Sequence, residues 1–358
     1  MRKDLNIFVD PKAGRPLKLK VSKERSGHVV SGAFYNDTSK YPIIGGIPRF
    51  INKKYYEDAP RHRAEEQTAL SFGNKWNSPV FRKPKIGKYE RRGLREQFMA
   101  AIGCRSVPRL KEILRKAETT LNAGCGLAWS EYLFNYNKDA DRHCVDMSLS
   151  VETAYKKTMG LRNIIIAQAS ILELPYRDET FDLIYSLGVL HHTPDPKKAF
   201  FSLVRALKPS GRIGVYIYKK KPFLRESADT KIRKVTTSLS FEQSMRFAKQ
   251  IAGLGRALNK IRQPLVIEKD IELLGIKKGR YDMHGFIYDH FIKCWYSPHY
   301  DMKYAGMVNQ DWYHPYFASC HEKEEITGWF RESKMKNIRC IQPRGWEQSG
   351  FFVSGVKK

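Results

Sequence analysis

The sequence predicts an α/β fold: a mostly parallel sheet with crossover helices, preceded by a small β-rich segment. Three observations predict it. From residue 119 onward, apolar runs alternate with segments of helical period, in the order TTLNAG, SEYLFNY, DRHCVD, SVETAYKKT, NIIIAQA, FDLIYSL, PKKAFFSLVRALK and RIGVYIY. Such alternation marks strands joined by crossover helices. Within it, TTLNAGCGLAWSEYL (119–133) runs from a strand through a Gly-rich turn into a helix-like stretch. Gly124 and Gly126 lack a Cβ, so the backbone can turn tightly after the strand and lie close to a ligand. Third, residues 1–55 hold only short apolar runs separated by Gly and Pro breaks, a pattern of short strands and turns.

The elements follow in order. DLNIFV, PKAGRP, LKLKVS and YPIIGGIPRFI make up the N-terminal β-rich module, 1–55. Residues 56–118 read as a charged helical linker, with QTALSFGNKW and with PRLKEILRKAE, whose Leu110, Ile113 and Leu114 share one helical face. The alternating core occupies 119–218. Residues 219–321 interrupt it with the basic KKKPFLRESADTKIRK, the helical SFEQSMRFAKQIAGLGRALNKI and the aromatic YDHFIKCWYSPHY and DWYHPYF. This insertion is expected above the carboxyl edge of the sheet, as a lid. EKEEITGWFRES, NIRCIQP and GFFVSGVKK then complete the core over 322–358.

Composition narrows the class. With 42% hydrophobic and 12% aromatic residues in 358, the chain is globular and long enough for one large core with a small appended unit. No apolar run reaches the roughly 18–20 residues needed to cross a bilayer, and the start, MRKDLNIFVDPKAGRPL, lacks the apolar core of a secretory signal. The six cysteines (104, 125, 144, 294, 320 and 340) form no Cys-x-x-Cys pair. That argues against a metal site and a secreted disulfide framework, and a cytoplasmic location is expected. A net charge of +27, from 64 Lys+Arg against 37 Asp+Glu, attracts anionic partners such as RNA, anionic lipid or a phosphorylated small molecule. It equally describes a solvated basic surface, because the charge is spread along the chain.

The spacing of polar residues adds a candidate ligand site. Asp146 ends the strand DRHCVD, 20 residues after Gly126, the separation at which a carboxylate reaches ribose hydroxyls in nucleotide folds. The competing reading makes Asp146 the N-cap of the following helix.

Four pieces in order, LNAGCG, CVDMS, QASILELPYRDETFDLIYSLGVLHHTPDP and LKPSGRIGVYIY, resemble the class I S-adenosylmethionine-dependent methyltransferases over roughly 119–218. The resemblance implies a Rossmann-like sheet with an antiparallel last strand and S-adenosylmethionine as cofactor. It implies cofactor contacts from Asn122, Gly124, Gly126, Asp146, Met147, Ala169, Ser170, Ile171 and Leu187. His191 and His192, after the fourth strand, become candidate general bases beside the methyl group, with packing and turn roles as the alternative. Departures from the family pattern are Asn122 in place of an acid, Ala128 in place of the third glycine, Ser170 in place of an Asp, and Ser210 in the LKPGG-type turn. The Asn/Asp-Pro-Pro-aromatic turn of many base amino-methylating enzymes is missing.

YPIIGGIPRF (41–50) with SFGNKW resembles the zinc-ribbon-like domain that precedes bacterial methyltransferases. Its first cysteine pair is replaced by Asp10 and Ala13, so no metal is expected. The acceptor expected from the resemblance is a small or anionic metabolite, a glycan or a lipid precursor. An RNA acceptor, or non-catalytic RNA binding, is the alternative. The aromatic stretch 281–317 fits an acceptor wall, a hydrophobic subcore or a base-stacking surface, and the oligomeric state is not encoded in any motif.

Overall fold

A computed structural model describes residues 1, 7–52, 64–81, 87–342 and 349–358. The N-terminal module is an antiparallel meander of β1 (Lys18–Arg25), β2 (His28–Tyr35), β3 (Lys40–Ile44) and β4 (Ile47–Pro48), paired in chain order. Both of its tight hairpins turn on two residues of positive φ, Ser26–Gly27 (50° and 77°) and Gly45–Gly46 (60° and 83°). That backbone twist matches the twist of the strands it joins. Ahead of β1, the Asp10 carboxylate closes a turn by accepting from the Lys12 and Ala13 N–H groups and the Tyr41 hydroxyl. The DLNI part of the first expected strand lies largely outside the described residues.

Three helices follow: α1 (Ala64–Trp76), α2 (Lys88–Ala101) and α3 (Val107–Lys116). α3 starts at Ser106, whose hydroxyl accepts the Arg109 N–H, and it buries Leu110 and Leu114. The core then runs β5 (Thr119–Ala123), α4 (Trp129–Leu133), β6 (Asp141–Asp146), α5 (Ser150–Thr158), β7 (Ile164–Gln168), β8 (Phe181–Leu187), α6 (Pro196–Ala206) and β9 (Leu207–Tyr218). The interruption after β9 contains α7 (Phe223–Thr236), α8 (Phe241–Asn259), the hairpin β10 (Leu265–Ile267) and β11 (Gly279–Tyr281), α9 (Met283–His290) and α10 (Met302–Tyr313). The chain closes with α11 (Lys323–Glu332), β12 (Met335–Ile341) and β13 (Gly350–Lys357).

The seven-stranded sheet has the order β12-β13-β9-β8-β5-β6-β7. β7, β6, β5, β8 and β9 are parallel, and β13 is antiparallel to both of its neighbours. The fold is therefore Rossmann-like, with one antiparallel strand as expected. Because helices cover both faces, the strands bury apolar residues on both sides, among them Leu121, Ala123, Val145, Ile165, Ile166, Leu183 and Ile184. From β5 the chain steps outward one way to β6 and β7, then returns to β8 on the other side. Open sheets hold their ligands at the carboxyl ends of strands beside such a reversal.

The module covers the β7 edge. Phe50 N–H donates to the Gln168 carbonyl (2.8 Å) and Val9 N–H to the Pro175 carbonyl (3.1 Å). Phe8, Phe50 and Tyr176 stack into one cluster, with ring centroids 4.9 and 5.3 Å from Phe8. An otherwise open sheet edge is thereby paired and hidden. Among the described residues no helix is long and apolar enough to cross a membrane.

Within the insertion, α8 and α10 pack together over a subcore of Ala252, Tyr288, Cys294, Trp295 and Ala305. A second cluster, Tyr218, Trp312 and Tyr313, joins it to the end of β9. α10 is tied to α1 through His314, whose Nδ1 lies 2.8 Å from the Ser71 hydroxyl and 2.9 Å from Gln310 Nε2. α1 and α10 thus form a roof over the switch point.

Candidate cofactor and acceptor site

The Gly-rich turn starts where β5 ends. The Gly124 and Cys125 N–H groups both donate to the Val145 carbonyl, which ties the turn to β6. Gly124 has φ +78°, and a Cβ there would lie 2.3 Å from Val189 Cγ2. Gly126 has φ +50°, and its Cβ would meet the Trp76 indole at 3.1 Å. Ala128 also takes the left-handed conformation, φ 53°, at a cost of about 1–2 kcal/mol for a residue with a Cβ. Only Ser130–Leu133 of the expected helix SEYLFNY lie in α4; Phe134 leaves the helical region.

Asp146 ends β6 beside this turn. One carboxylate oxygen accepts the Gly126 N–H (2.9 Å), and the other accepts the Ser148 N–H (2.8 Å) and hydroxyl (2.7 Å). It does not cap α5, whose N-cap is Leu149. A carboxylate has about four acceptor sites, so one remains for a ligand hydroxyl. The carboxylate is held in place by its own turn.

A cavity of about 350 Å³ opens at these strand ends, within the usual size of a ligand pocket. Gly124, Gly126, Asp146, Met147, Ala169, Ser170, Ile171 and Leu187 all line it. Asn122 does not. Its amide donates to the Ser130 hydroxyl (3.1 Å) and to Glu131 (3.2 Å) within a sealed network. There Arg142 Nε donates to Glu131 (2.5 Å) and the Tyr185 hydroxyl donates to the same carboxylate. Glu131 and Arg142 are 0% and 1% exposed, a buried ion pair in which the amide helps complete the carboxylate's hydrogen bonds. The structure corrects the expectation for Asn122: it supports the turn from beneath.

The two histidines part company. Leu190–His192 form one 3₁₀ turn after β8. His191 turns inward, accepts the Tyr218 N–H at Nδ1 (3.3 Å), and stacks its ring on Tyr218 with centroids 3.6 Å apart. Burial holds its pKa well below 6.5, and it does not line the cavity. The expectation of a base at His191 is corrected to packing. His192 does line the cavity. Its Nδ1 lies 2.7 Å from the Phe317 carbonyl, which can only accept, so the proton sits on Nδ1 and Nε2 keeps its lone pair. Burial pushes its pKa down to about 4, and nearby Asp311 works in the opposite direction. Phe72 of α1 meets the His192 ring edge-on at 4.7 Å.

The far side of the cavity is built by α1 and the insertion. α1 supplies Phe72, Lys75 and Trp76; the insertion supplies Lys293, Trp295, Tyr300, Tyr304 and Asp311. Lys75 is ion-paired with Asp311 (2.8 Å) and sits 4.2 Å above the Trp76 ring. Tyr300 and Tyr304 stack at 4.3 Å. Of the aromatic stretch, Tyr300 and Tyr304 are cavity wall, Trp295 belongs to both wall and subcore, and Tyr288, Trp312 and Tyr313 are subcore. No cluster of three metal-binding side chains occurs among the described residues.

Residues 121–215 match the family described as a methyltransferase domain. Over that span the chain is similar to methyltransferase domains. Its cofactor is S-adenosylmethionine, and the residues present fit it: a Gly turn that a Cβ would fill, beside an oriented carboxylate. The chain is 27% identical over 141 residues to phosphoethanolamine N-methyltransferase 3 of Arabidopsis thaliana, covering 38% of this chain and 29% of that protein. It is 33% identical over 86 residues to 27-O-demethylrifamycin SV methyltransferase of Amycolatopsis mediterranei (strain S699), covering 24% and 31%. The match thus spans less than a third of either curated relative's length. Among solved structures, the N-methyltransferase NodS of Bradyrhizobium japonicum WM9, in complex with S-adenosyl-L-homocysteine, is 13% identical with a TM-score of 0.42, over 81% of this chain and 98% of that one.

Proposed function

We propose that the protein transfers a methyl group from S-adenosylmethionine to a small-molecule acceptor held between the sheet ends and the insertion. One observation carries this reading: a single cavity joins the Gly124–Asp146 cradle to His192 and to the aromatic wall of α1 and α10. When bound, the cofactor supplies an electrophilic methyl group on a sulfonium sulfur. Gly124 and Gly126 admit its amino-acid portion, Asp146 accepts from its ribose, and Ala169, Ser170 and Ile171 flank its base. Leu187 floors the pocket between cofactor and acceptor. His192 Nε2, neutral at physiological pH, takes the proton that the acceptor loses. Phe72, Trp76 and Tyr304 hold the reacting groups together and keep water away, which is most of what such a transfer needs.

Calorimetry with S-adenosylhomocysteine tests the cofactor site. Micromolar binding is expected, weakened about 10- to 100-fold in Asp146→Ala, the range for losing a hydrogen bond to a charged group. No heat at millimolar ligand would overturn the proposal and leave a non-catalytic use of the fold. The net charge of +27 favours a second reading, an RNA acceptor gripped by the outer surface.

The N-terminal module is proposed as a metal-free, zinc-ribbon-like scaffold. What supports this is Asp10, which gathers the N–H groups of Lys12 and Ala13 at the place the resemblance gives to the first cysteine pair.

A further inference from the structure

Lys293 lies in the wall of the cavity, 5% exposed, and no carboxylate among the described residues forms an ion pair with it. The charges that bear on it are Arg225, Asp311, Asp229 and Lys75. These four cancel among themselves: Arg225 pairs with Asp229 (2.6 Å) and Lys75 with Asp311 (2.8 Å). The Lys293 ammonium is left as uncompensated charge in a buried place, where an isolated cation is costly. Lys293 sits 4.3 Å from the centre of the neighbouring Trp312 ring, whose indole N–H donates to the already paired Asp229 (2.9 Å). Tyr218 lines the same cavity 6.0 Å from the Lys293 ammonium, measured to its ring centre, and its hydroxyl has no hydrogen-bond partner among the described residues.

We infer that Lys293 and the Tyr218 hydroxyl form a subsite for an acidic group of the acceptor, a carboxylate or a tetrahedral oxyanion such as a phosphate ester. Both groups donate, and together they offer a charge-assisted hydrogen bond and a neutral one to the same ligand. The subsite adds a point of attachment on the insertion's side of the cavity, so the acceptor is held by its acid while its nucleophile faces the cofactor. Burial, and then Arg225, push the Lys293 ammonium down to about 7. An anion bound there would restore its charge and lift that value. The carboxylates elsewhere along the cavity, Glu65, Glu90 and Asp146, stand on α1, on α2 and at the end of β6.

The inference rests on the proposed methyltransferase reading only in naming the ligand as the acceptor. Its test titrates the protein, saturated with S-adenosylhomocysteine, with sodium sulfate and separately with sodium acetate at pH 6. Calorimetry and thermal melting are the readouts. Millimolar binding of at least one anion is expected, weakened at least 10-fold in Lys293→Met and about 3- to 10-fold in Tyr218→Phe. Lys293→Arg should retain part of it, and the wild-type affinity should fall between pH 6 and pH 8.5. A stronger response to sulfate than to acetate assigns a tetrahedral group, and the reverse a carboxylate. Unchanged affinity for S-adenosylhomocysteine in the variants shows that the fold is intact, and Tyr218→Phe keeps the test open if Lys293→Met does not fold. Binding by Lys293→Met as tight as wild type, or no binding of either anion, overturns the inference. Should S-adenosylhomocysteine itself fail to bind, the cofactor reading falls, and the same titrations on the unloaded protein still decide the subsite.

Discussion

At the scale of single residues, the site depends on a few positions where one atom decides the outcome. Gly124 is the sharpest case: a Cβ there would lie 2.3 and 2.4 Å from the two methyl groups of Val189, on a backbone at φ +78°. Gly124→Ala is expected to lower the melting temperature and to weaken S-adenosylhomocysteine binding at least 10-fold, because the turn must move. Adding Val189→Ala removes the two nearest contacts and leaves one at 2.8 Å, so it should restore the melting temperature in part. No loss in the single variant would mean that the turn is not held as described. His192 yields a pH prediction. A base with its pKa near 4 is active when unprotonated, so kcat/KM should rise with pH through about 4 and stay level toward neutrality. His192→Asn should remove that limb and slow turnover about 10²- to 10⁴-fold. The same shift bears on stability. Unfolded His192 takes up a proton below about 6.5 and folded His192 only below about 4, so stability falls as pH falls through that window, by about 3 kcal/mol across it. Thermal melts between pH 7 and pH 4 that show no drop would count against a buried, neutral His192.

At the scale of elements, what could be read from the sequence was local. The strands from β5 to β9 follow from short segments rich in apolar residues between Gly, Pro and Asp, and the Gly turn and Asp146 follow from spacing along one βαβ unit. The cavity-lining positions from Gly124 to Leu187 were legible for that reason. Asn122 was misread because its direction is set by Glu131, nine residues on, and by Arg142 on the next strand. His191 and His192 are adjacent, yet a single 3₁₀ turn sends one into the core and the other to the cavity. Lys75, Lys293 and Asp311 could not be found at all, since they meet only when α1 and α10 pack across more than 200 residues of chain. A lysine beside aromatics in a sequence looks the same whether it faces solvent or a chamber. Ala128 and Ser210 replace expected glycines and still take φ of 53° and 61°, so the turns persist where the glycine signal does not. The module also acts at this scale. Arg49, 2% exposed, donates to Gln168 Oε1 (2.7 Å) and to Glu152, while Gln168 Nε2 donates to the Met147 carbonyl of the cofactor loop (2.9 Å). Arg49→Met leaves a buried acceptor without its donor, worth about 1–3 kcal/mol. A lower melting temperature and several-fold weaker S-adenosylhomocysteine binding are expected, and unchanged calorimetry would uncouple the module from the site.

At the scale of the whole molecule, the net charge of +27 is the one property that no pocket explains. Much of it is displayed on the outside: nearly all of β1, KLKVSKER, is exposed. If RNA is the acceptor, its affinity must fall steeply with salt, because each neutralised phosphate releases counterions. If the acceptor is small, turnover depends on the chamber and only loosely on ionic strength. A salt titration of both RNA binding and turnover between 50 and 200 mM separates the two, and the small-acceptor reading expects turnover to change little. The chain from Arg49 through Gln168 to Met147 has a further meaning in terms of linkage. Whatever factor the docked module adds to cofactor affinity, the bound cofactor must return to module docking. Loading the site therefore makes the first fifty residues harder to peel away, and their resistance to a protease becomes a reporter of occupancy some distance from the methyl group.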